Sequence, residues 1–581
     1  MAPIPLQRMS QIAIRDAARR WIKQDPDPET RIELASLLER AGDVEAHGAT
    51  LAEDDQSERA KIWRELRDRF TTRLSFGTAG LRGRQEAGPN RMNRVTVAQA
   101  ARGLADYLLA RNDSERPSVV IGYDARVNSN VYATDTAELM QAAGVDAIVL
   151  PRMLPTPVLA FAVRHFNASA GVMVTASHNP KWDNGYKVYL GGSDAGSQIV
   201  PPADAEIATA INHVATRQRV DELPRDTGYR VADEAVVDAY IAETAKVLRA
   251  GFSPEELSGL KLVYTPLHGV GWETFERVLQ ASGLPAPVVV AEQIDPDGSF
   301  PTVDFPNPEE PGALDLAFAK ATEVGADLVI AHDPDADRLA VALPDAEGNW
   351  LRLGGNDIGK LLGWRAARAA EAAGTSGTLA TSLVSSPAMS KVAEHYELGY
   401  AETQTGFKWI SRAEGIIYGY EEALGYLVDP DKVRDKDGIS AALAMIELAL
   451  LQAHDGRTLL DLDDEFAEAF GAFASRQVSV RFEDASMLGA TMARLRATPP
   501  SQVGEVEVVE FFDFASSAEP AEILRIRLAD ETRIMIRPSG TEPKIKSYID
   551  ASARTGTVAE RRASADTRAD AAAAGMRKLL G

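Results

Sequence analysis

Short apolar runs alternate along this chain with stretches of helical period, and the two periods divide it into segments of different character. Residues 1 to about 70 carry the helical period alone: Leu34, Leu37 and Leu38, then Trp63, Leu66 and Phe70, recur at helical spacing, with breaks near Asp25–Pro28. From about 71 to 225, strand-length apolar runs stand at Ser118–Tyr123, Asp146–Leu150 and Ala170–Val174, with helical patterns at Val97–Ala110 and Asn130–Ala143. Strands apolar on both faces, alternating with helices, predict a mainly parallel sheet covered on both sides. The rhythm returns at Leu260–Tyr264, Ala286–Val290 and Asp327–Ala331, and again at Gly377–Thr381 and Gly415–Gly419. Between these two sets, Leu339–Ala342 and Trp350–Leu353 read as paired strands joined by a polar turn. From about 471 the runs Ser475–Arg481, Val506–Phe511, Ile523–Leu528 and Arg533–Ile536 precede an alanine-rich helix. The expected division is a helical extension over 1–70, α/β domains over 71–225, 226–346 and 347–470, and an α+β domain over 471–581. A chain of 581 residues exceeds what one core holds.

Composition changes this picture little. Apolar residues make up 45% and charged residues 25%, ordinary for a soluble globular protein. The balance of 62 basic against 85 acidic residues, net −23, repels nucleic-acid backbones and anionic lipid, so neither is an expected partner. A phosphate-ester site in such a chain must be a local basic island. The absence of cysteine excludes disulfides, thiolate nucleophiles and Cys-ligated metals. The chain has no run of about 18 apolar residues and no signal-peptide pattern, so a cytoplasmic enzyme is expected. Its longest apolar helix pattern, Ile439–Leu451, is interrupted by Glu447 and reads as buried.

Five segments carry chemistry. Thr175-Ala-Ser-His-Asn-Pro180 follows directly on the run Ala170–Val174, at the strand end where ligands of parallel sheets bind. Ser177 there needs activation to act as a nucleophile, with His178 adjacent and Lys187 ten residues on. Taken alone, the hexapeptide is an ordinary turn. Asp333-Pro-Asp-Ala-Asp-Arg338 places three carboxylates at a strand end, and such a cluster calls for a hard cation, Mg²⁺ first. An EF-hand is excluded because Arg338 stands where the loop needs Gly and Pro344 where it needs Glu. Arg338 suits an anionic ligand. Arg537-Pro-Ser-Gly-Thr-Glu-Pro-Lys544 combines a guanidinium, two hydroxyls and glycine amides, the parts of a phosphate cradle. Gly419-Tyr-Glu-Glu-Ala-Leu-Gly425 offers paired acids to sugar hydroxyls, and Gly77-Thr-Ala-Gly-Leu-Arg-Gly83 is a further Gly-rich stretch with an arginine. Gly354–Lys360 has the G-x4-G-K spacing of a P-loop, but Leu361 replaces the metal-binding hydroxyl, so Asn356 reads as a helix cap and Lys360 as a surface residue.

Together, in this order from Phe76 to Lys544, the segments resemble the α-D-phosphohexomutase family of phosphoglucomutases, phosphomannomutases and phosphopentomutases. Thr265–Gly271 and Phe305–Leu314 look most like its long, phosphopentomutase-containing branch. The resemblance implies an α/β fold of four domains, three related mixed-sheet α/β domains plus a C-terminal α+β domain, around a central cleft. It implies that Ser177 carries a phosphoryl group and that Asp333, Asp335 and Asp337 bind Mg²⁺ together with phospho-Ser177. Lys187, Arg338 and His178 become the candidate acid/base and charge-stabilising groups, and Arg82 would neutralise the phosphoserine. Glu421 would bind sugar hydroxyls, and Arg537, Ser539, Gly540 and Thr541 the non-reacting phosphate, with Lys408 close by. Many members have Glu-x-Ser in the sugar loop; here the third residue is Ala423, which has no hydroxyl. The implied reaction interconverts glucose 1-phosphate and glucose 6-phosphate through a sugar 1,6-bisphosphate, in a monomer or homodimer. Mannose and pentose phosphates, a serine phosphatase and a silent sugar-phosphate sensor are the alternatives.

Overall fold

The computed structural model of the chain describes residues 9–42, 57–111, 116–482, 486–517, 520–539 and 544–581. It divides into two compact units: residues 1–246, 261–340 and 431–439, and residues 247–260, 341–430 and 440–581.

The first unit is built on a sheet whose strands lie in the order Leu81–Arg84, Asp183–Leu190, Ala170–Val174, Ser118–Tyr123, Asp146–Val149, Arg230–Val231. The three predicted strands are present and parallel to one another. The edge beside them is antiparallel, however: Asp183–Leu190 pairs with Ala170–Val174, and Leu81–Arg84 with Asp183–Leu190. The sheet is therefore mixed. The helix Arg94–Arg111 is buried on nearly every side because two apolar cores meet on it. Val97, Ala100, Leu104 and Leu108 join the core over the sheet. Val95, Ala98 and Ala101 pack with Trp21, Leu34, Trp63, Leu66 and Phe70 of the N-terminal helices Gln11–Gln24, Pro28–Arg40 and Glu58–Thr71. Inside that second core Arg69 is buried and pairs with Glu33, Glu65 and Glu86 at 2.7, 2.5 and 3.1 Å.

A second sheet in this unit has Leu262–Thr265 between Val288–Val289 and Leu328–His332, all parallel. The run Ala286–Val290 thus yields only a two-residue strand. Leu339–Pro344 begins in the first unit and ends in the second, where it pairs antiparallel with Trp350–Arg352 as the hairpin pattern predicts.

The second unit holds Thr378–Ser382 parallel to Gly399–Thr403 and Ile416–Glu421, with Gly425–Leu427 antiparallel at the edge. Its other sheet is antiparallel throughout, in the order Ala472–Arg481, Lys544–Ala553, Arg533–Pro538, Leu524–Leu528, Val506–Asp513, Gln502–Val503. The helix Val558–Leu580 starts at a Thr557/Glu560 capping box and buries Ala565, Ala569, Ala572, Ala573 and Met576 on one face. Glu447 is buried within Gly438–His454, where it accepts hydrogen bonds from the Arg249 and Ala250 amides at 2.6 and 2.7 Å and pairs with Arg365.

Two local expectations are corrected in this unit. Lys360 is not a surface residue: it is buried between Asp357 and Asp463, at 2.8 and 2.7 Å. Asn356 does not cap the helix Gly355–Ala373, whose N-cap is Gly354; its amide instead bridges Ser475 Oγ and the Ser386 amide. Among the described residues no helix is long and apolar enough to cross a membrane.

Candidate functional site

The first unit gathers Ser177, His178, Lys187, Arg82, Arg338 and the three aspartates. Ser177 stands three residues past the strand Ala170–Val174 with φ +51°, a left-handed conformation uncommon for serine. Its amide donates to Thr175 Oγ1 at 2.8 Å. Its hydroxyl is buried, donates to Asp333 Oδ2 at 2.7 Å, and lies 3.2 Å from His178 Nδ1. Burial, with Arg338 and Arg82 nearby, holds the His178 imidazole well below its ordinary pKa.

Asp333, Asp335 and Asp337 follow the strand Leu328–His332 on a loop that turns through Ala336, φ +52°. All three are fully buried, and ligand oxygens from each lie within 4.8 Å of one another. Burial and the two neighbouring carboxylates raise Asp333 well above the usual carboxylate range. Burial also opposes ionisation of Asp335 and Asp337, yet the cations facing them, Lys187 foremost, hold both below it. Lys187 Nζ bridges Asp335 and Asp337 at 2.7 and 2.8 Å, and Lys436 Nζ reaches Asp337 at 3.2 Å. Arg338 Nε lies 4.0 Å from Asp333 and 3.9 Å from Asp337. Thr156, first residue of the helix Thr156–His165, donates its amide to the Asp335 carbonyl at 2.9 Å and its hydroxyl to the carboxylate at 2.6 Å.

The donor set fits a hard divalent cation. Asp335 Oδ1 and Asp337 Oδ1 are buried without a hydrogen-bond partner among the described residues, and an oxygen-only set of this kind suits such an ion. Two glycines allow the loop its close supports. A Cβ at Gly269 would meet Pro334 at 2.4 Å, and one at Gly438 the Arg338 carbonyl at 2.3 Å.

Arg82, in Leu81–Arg84, donates to Asn179 Oδ1 at 3.1 Å. Lys187 is carried by Asp183–Leu190, the antiparallel strand that the apolar pattern missed. The pattern also missed Lys436 and Arg126. Lys436 lies on the segment 431–439, whose Asp435 accepts from Tyr189 and Gln198 and whose Asp437 accepts from Tyr240. The dense alternation of charge in Asp435-Lys-Asp437 was the available signal, and in sequence it is indistinguishable from a solvated turn.

The other predicted residues belong to the second unit. Glu421 ends the strand Ile416–Glu421, and Lys408 lies in the short helix Phe407–Ile410. Arg537 is in register with Lys546, and the Ser539 amide donates to the Lys544 carbonyl at 2.8 Å. Gly540 and Thr541 lie outside the described residues. The buried acid next to Glu421 is Glu422, which accepts from Ser382 and Ser385 at 3.1 and 3.0 Å. Burial raises its pKa, against its backbone, Ser385 and the charge of Arg537.

Fold and site together define an α/β protein with a buried serine beside a carboxylate triad able to hold a metal ion. The family models for phosphoglucomutase/phosphomannomutase α/β/α domains I, II and III match residues 73–218, 238–348 and 354–470. A probable phosphomannomutase of Haemophilus influenzae is 53% identical over 81% of this chain and 95% of its own. The phosphoribomutase of Saccharomyces cerevisiae is 32% identical over 93% of each. The open-form crystal structure of parafusin, a Paramecium phosphoglucomutase, superposes with a TM-score of 0.65 at 20% identity over 87% of this chain and 95% of that one. This chain belongs to the α-D-phosphohexomutase family. It is a sugar-phosphate mutase, with three α/β/α domains followed by a C-terminal sheet domain.

Proposed function

We propose that the enzyme interconverts glucose 1-phosphate and glucose 6-phosphate by way of phospho-Ser177 and glucose 1,6-bisphosphate. One observation carries this reading: a buried serine hydroxyl bonded to a carboxylate triad that faces two lysines and an arginine. In the first transfer the free sugar hydroxyl bonds to phosphorus as the bond to Ser177 Oγ breaks, and the proton lost by the sugar hydroxyl is made up on Ser177 Oγ. Lys187 and Arg338 offset charge on the transferring group, and Arg82 faces the phosphoserine. Asp333, Asp335 and Asp337 would hold Mg²⁺, which would supply Lewis-acid stabilisation of the serine oxygen. In the return transfer Ser177 Oγ bonds to phosphorus as the bond from phosphorus to the sugar oxygen breaks; Asp333 Oδ2 and His178 Nδ1 are the acceptors within reach of the serine proton, which is made up on the departing sugar oxygen. The bisphosphate must reverse between the two transfers. Arg537, Ser539, Gly540 and Thr541 hold whichever phosphate is not reacting, and Glu421 and Lys408 hold the sugar.

Mannose and pentose phosphates form the second reading, favoured by the names of the relatives; Ala423, which has no hydroxyl, favours neither sugar. A panel of glucose, mannose, glucosamine, ribose and deoxyribose 1-phosphates, with Mg²⁺ and trace bisphosphate, decides between them. If none isomerises, the reading is lost. Steady release of inorganic phosphate would identify a phosphatase instead. Intact mass should show one added phosphoryl group in the parent enzyme and none in Ser177→Ala. A Ser177→Ala protein that still takes up phosphoryl would remove Ser177 from the mechanism.

A further inference from the structure

Arg126 touches neither the triad nor the Ser177 hydroxyl, and no chemical segment of the sequence contains it. It is buried, and its two terminal nitrogens donate to four backbone carbonyls of one loop. One nitrogen reaches Ser177 and Asn179, each at 2.6 Å, and the other Pro180 and Asp183, at 2.9 and 3.0 Å. Those carbonyls span the turn from the phosphoryl-carrying serine to the start of the strand that bears Lys187. A planar fork can bridge acceptors spread over such a turn, whereas a lysine ammonium concentrates its three donors at one point.

The guanidinium is itself held from the metal-loop side of the unit. It lies over the ring of Phe300, 5.1 Å from the centroid. Phe300 has φ +47°, and the His268 ring meets it edge-on at 6.5 Å. Leu267 and His268 are also left-handed, at +48° and +60°, and the adjoining Gly269 packs directly on Pro334 between the first two aspartates. The Val270 amide donates to the Pro334 carbonyl at 2.9 Å. A continuous series of contacts therefore runs from the Ser177 carbonyl through Arg126, Phe300 and His268 to the aspartate loop. Five of its non-glycine residues, Ser177, Leu267, His268, Phe300 and Ala336, have positive φ. Such strain persists only where surrounding structure over-determines it.

We propose that Arg126, clamped on Phe300, is a positioning residue that fixes the Ser177 backbone relative to the aspartate loop and so keeps Oγ in line for phosphoryl transfer. The inference rests on Ser177 being the phosphoryl carrier. Arg126→Lys keeps the charge and the stacking partner but loses the fork. Misplacing a reacting group by an ångström costs about 10²-fold in rate, so kcat should fall by that order while KM for the sugar 1-phosphate stays within about threefold. Uniform loss of substrate binding would instead raise KM. Phe300→Leu leaves the four hydrogen bonds in place and loosens only the clamp, so it should show the same split with a smaller loss. In Arg126→Ala, guanidinium ion at millimolar concentration should restore part of kcat, and ethylammonium should not.

Phosphorylation of each protein by glucose 1,6-bisphosphate, read by intact mass, separates the two levels of the argument. A parent enzyme that takes no phosphoryl group sinks the carrier reading. A parent that is phosphorylated, beside Arg126→Lys and Phe300→Leu variants with unchanged kcat, sinks the positioning role. A rise in KM at constant kcat also overturns it. Should Arg126→Ala fail to fold, the kcat and KM split of the other two variants decides.

Discussion

At the residue scale the site is a problem of charge. Two unit charges about 4 Å apart interact by about 4 kcal/mol at the effective dielectric of a protein site. Three buried carboxylates with oxygens within 4.8 Å therefore need compensation. Lys187, Lys436 and Arg338 supply part of it, and the two carboxylate oxygens without hydrogen-bond partners among the described residues leave room for a divalent cation. A ligand at a hundred times its dissociation constant adds about 2.7 kcal/mol of stability. Mg²⁺ should accordingly raise the melting temperature of the parent protein, and EDTA should reverse the rise. Asp335→Asn should abolish that response. Melting curves for Asp335→Asn that shift with Mg²⁺ as the parent's do would place the ion elsewhere. The triad stood out in sequence because three carboxylates so close together are costly to hold without a cation, whereas Ser177, in a segment that alone reads as a turn, was singled out only by the company of the other motifs. Arg126 and Lys436 were not, because an isolated cation between strands looks like any solvated one until the fold buries it.

At the element scale, most expected strands are present, those with polar positions such as Ala472–Arg481 and Leu524–Leu528 included, and the expectation failed where turn signals or charges interrupt the run. Asp183–Leu190 opens with Asp-Asn-Gly, a turn signal, and carries Lys187 in its middle; Lys544–Ala553 carries two lysines and an aspartate. Both are strands because a neighbour offers a complete ladder of backbone partners. The helix Gly438–His454 shows the converse, an apolar pattern with one acid whose partners come from distant sequence. Glu447→Leu should cost about 3–5 kcal/mol, since it strands the buried Arg365 guanidinium and two backbone amides. Glu447→Gln, which keeps an acceptor, should cost less. Urea unfolding measures both, and equal midpoints for Glu447→Leu and the parent would show that Arg365 finds another partner.

At the scale of the whole molecule, the N-terminal helices acquire a physical role where the sequence offered none. They cover Val95, Ala98 and Ala101 on the helix Arg94–Arg111, and Leu139 beside it, residues with no other apolar partner layer on that side. Deleting residues 1–72 should expose this patch and give a protein that melts lower and self-associates. Light scattering and thermal melting test it. A monodisperse truncated chain with the parent melting temperature would mean that the second core is dispensable.

The sequence by itself determined the class of each layer and the chemical inventory of the site. Apolar periodicity reports burial, and three carboxylates within five residues report a need for charge compensation wherever they end up. Tertiary structure alone decided which groups meet. Lys187 faces the aspartates because an unforeseen antiparallel strand turns it inward, and Lys436 reaches them because Gly438 lets its segment lie against the Arg338 carbonyl. Arg126 organises the serine loop only because four carbonyls, distant from it in sequence by more than fifty residues, converge on its guanidinium. Periodicity is a local property of a chain, whereas hydrogen-bond partnership and charge compensation are properties of its closed fold.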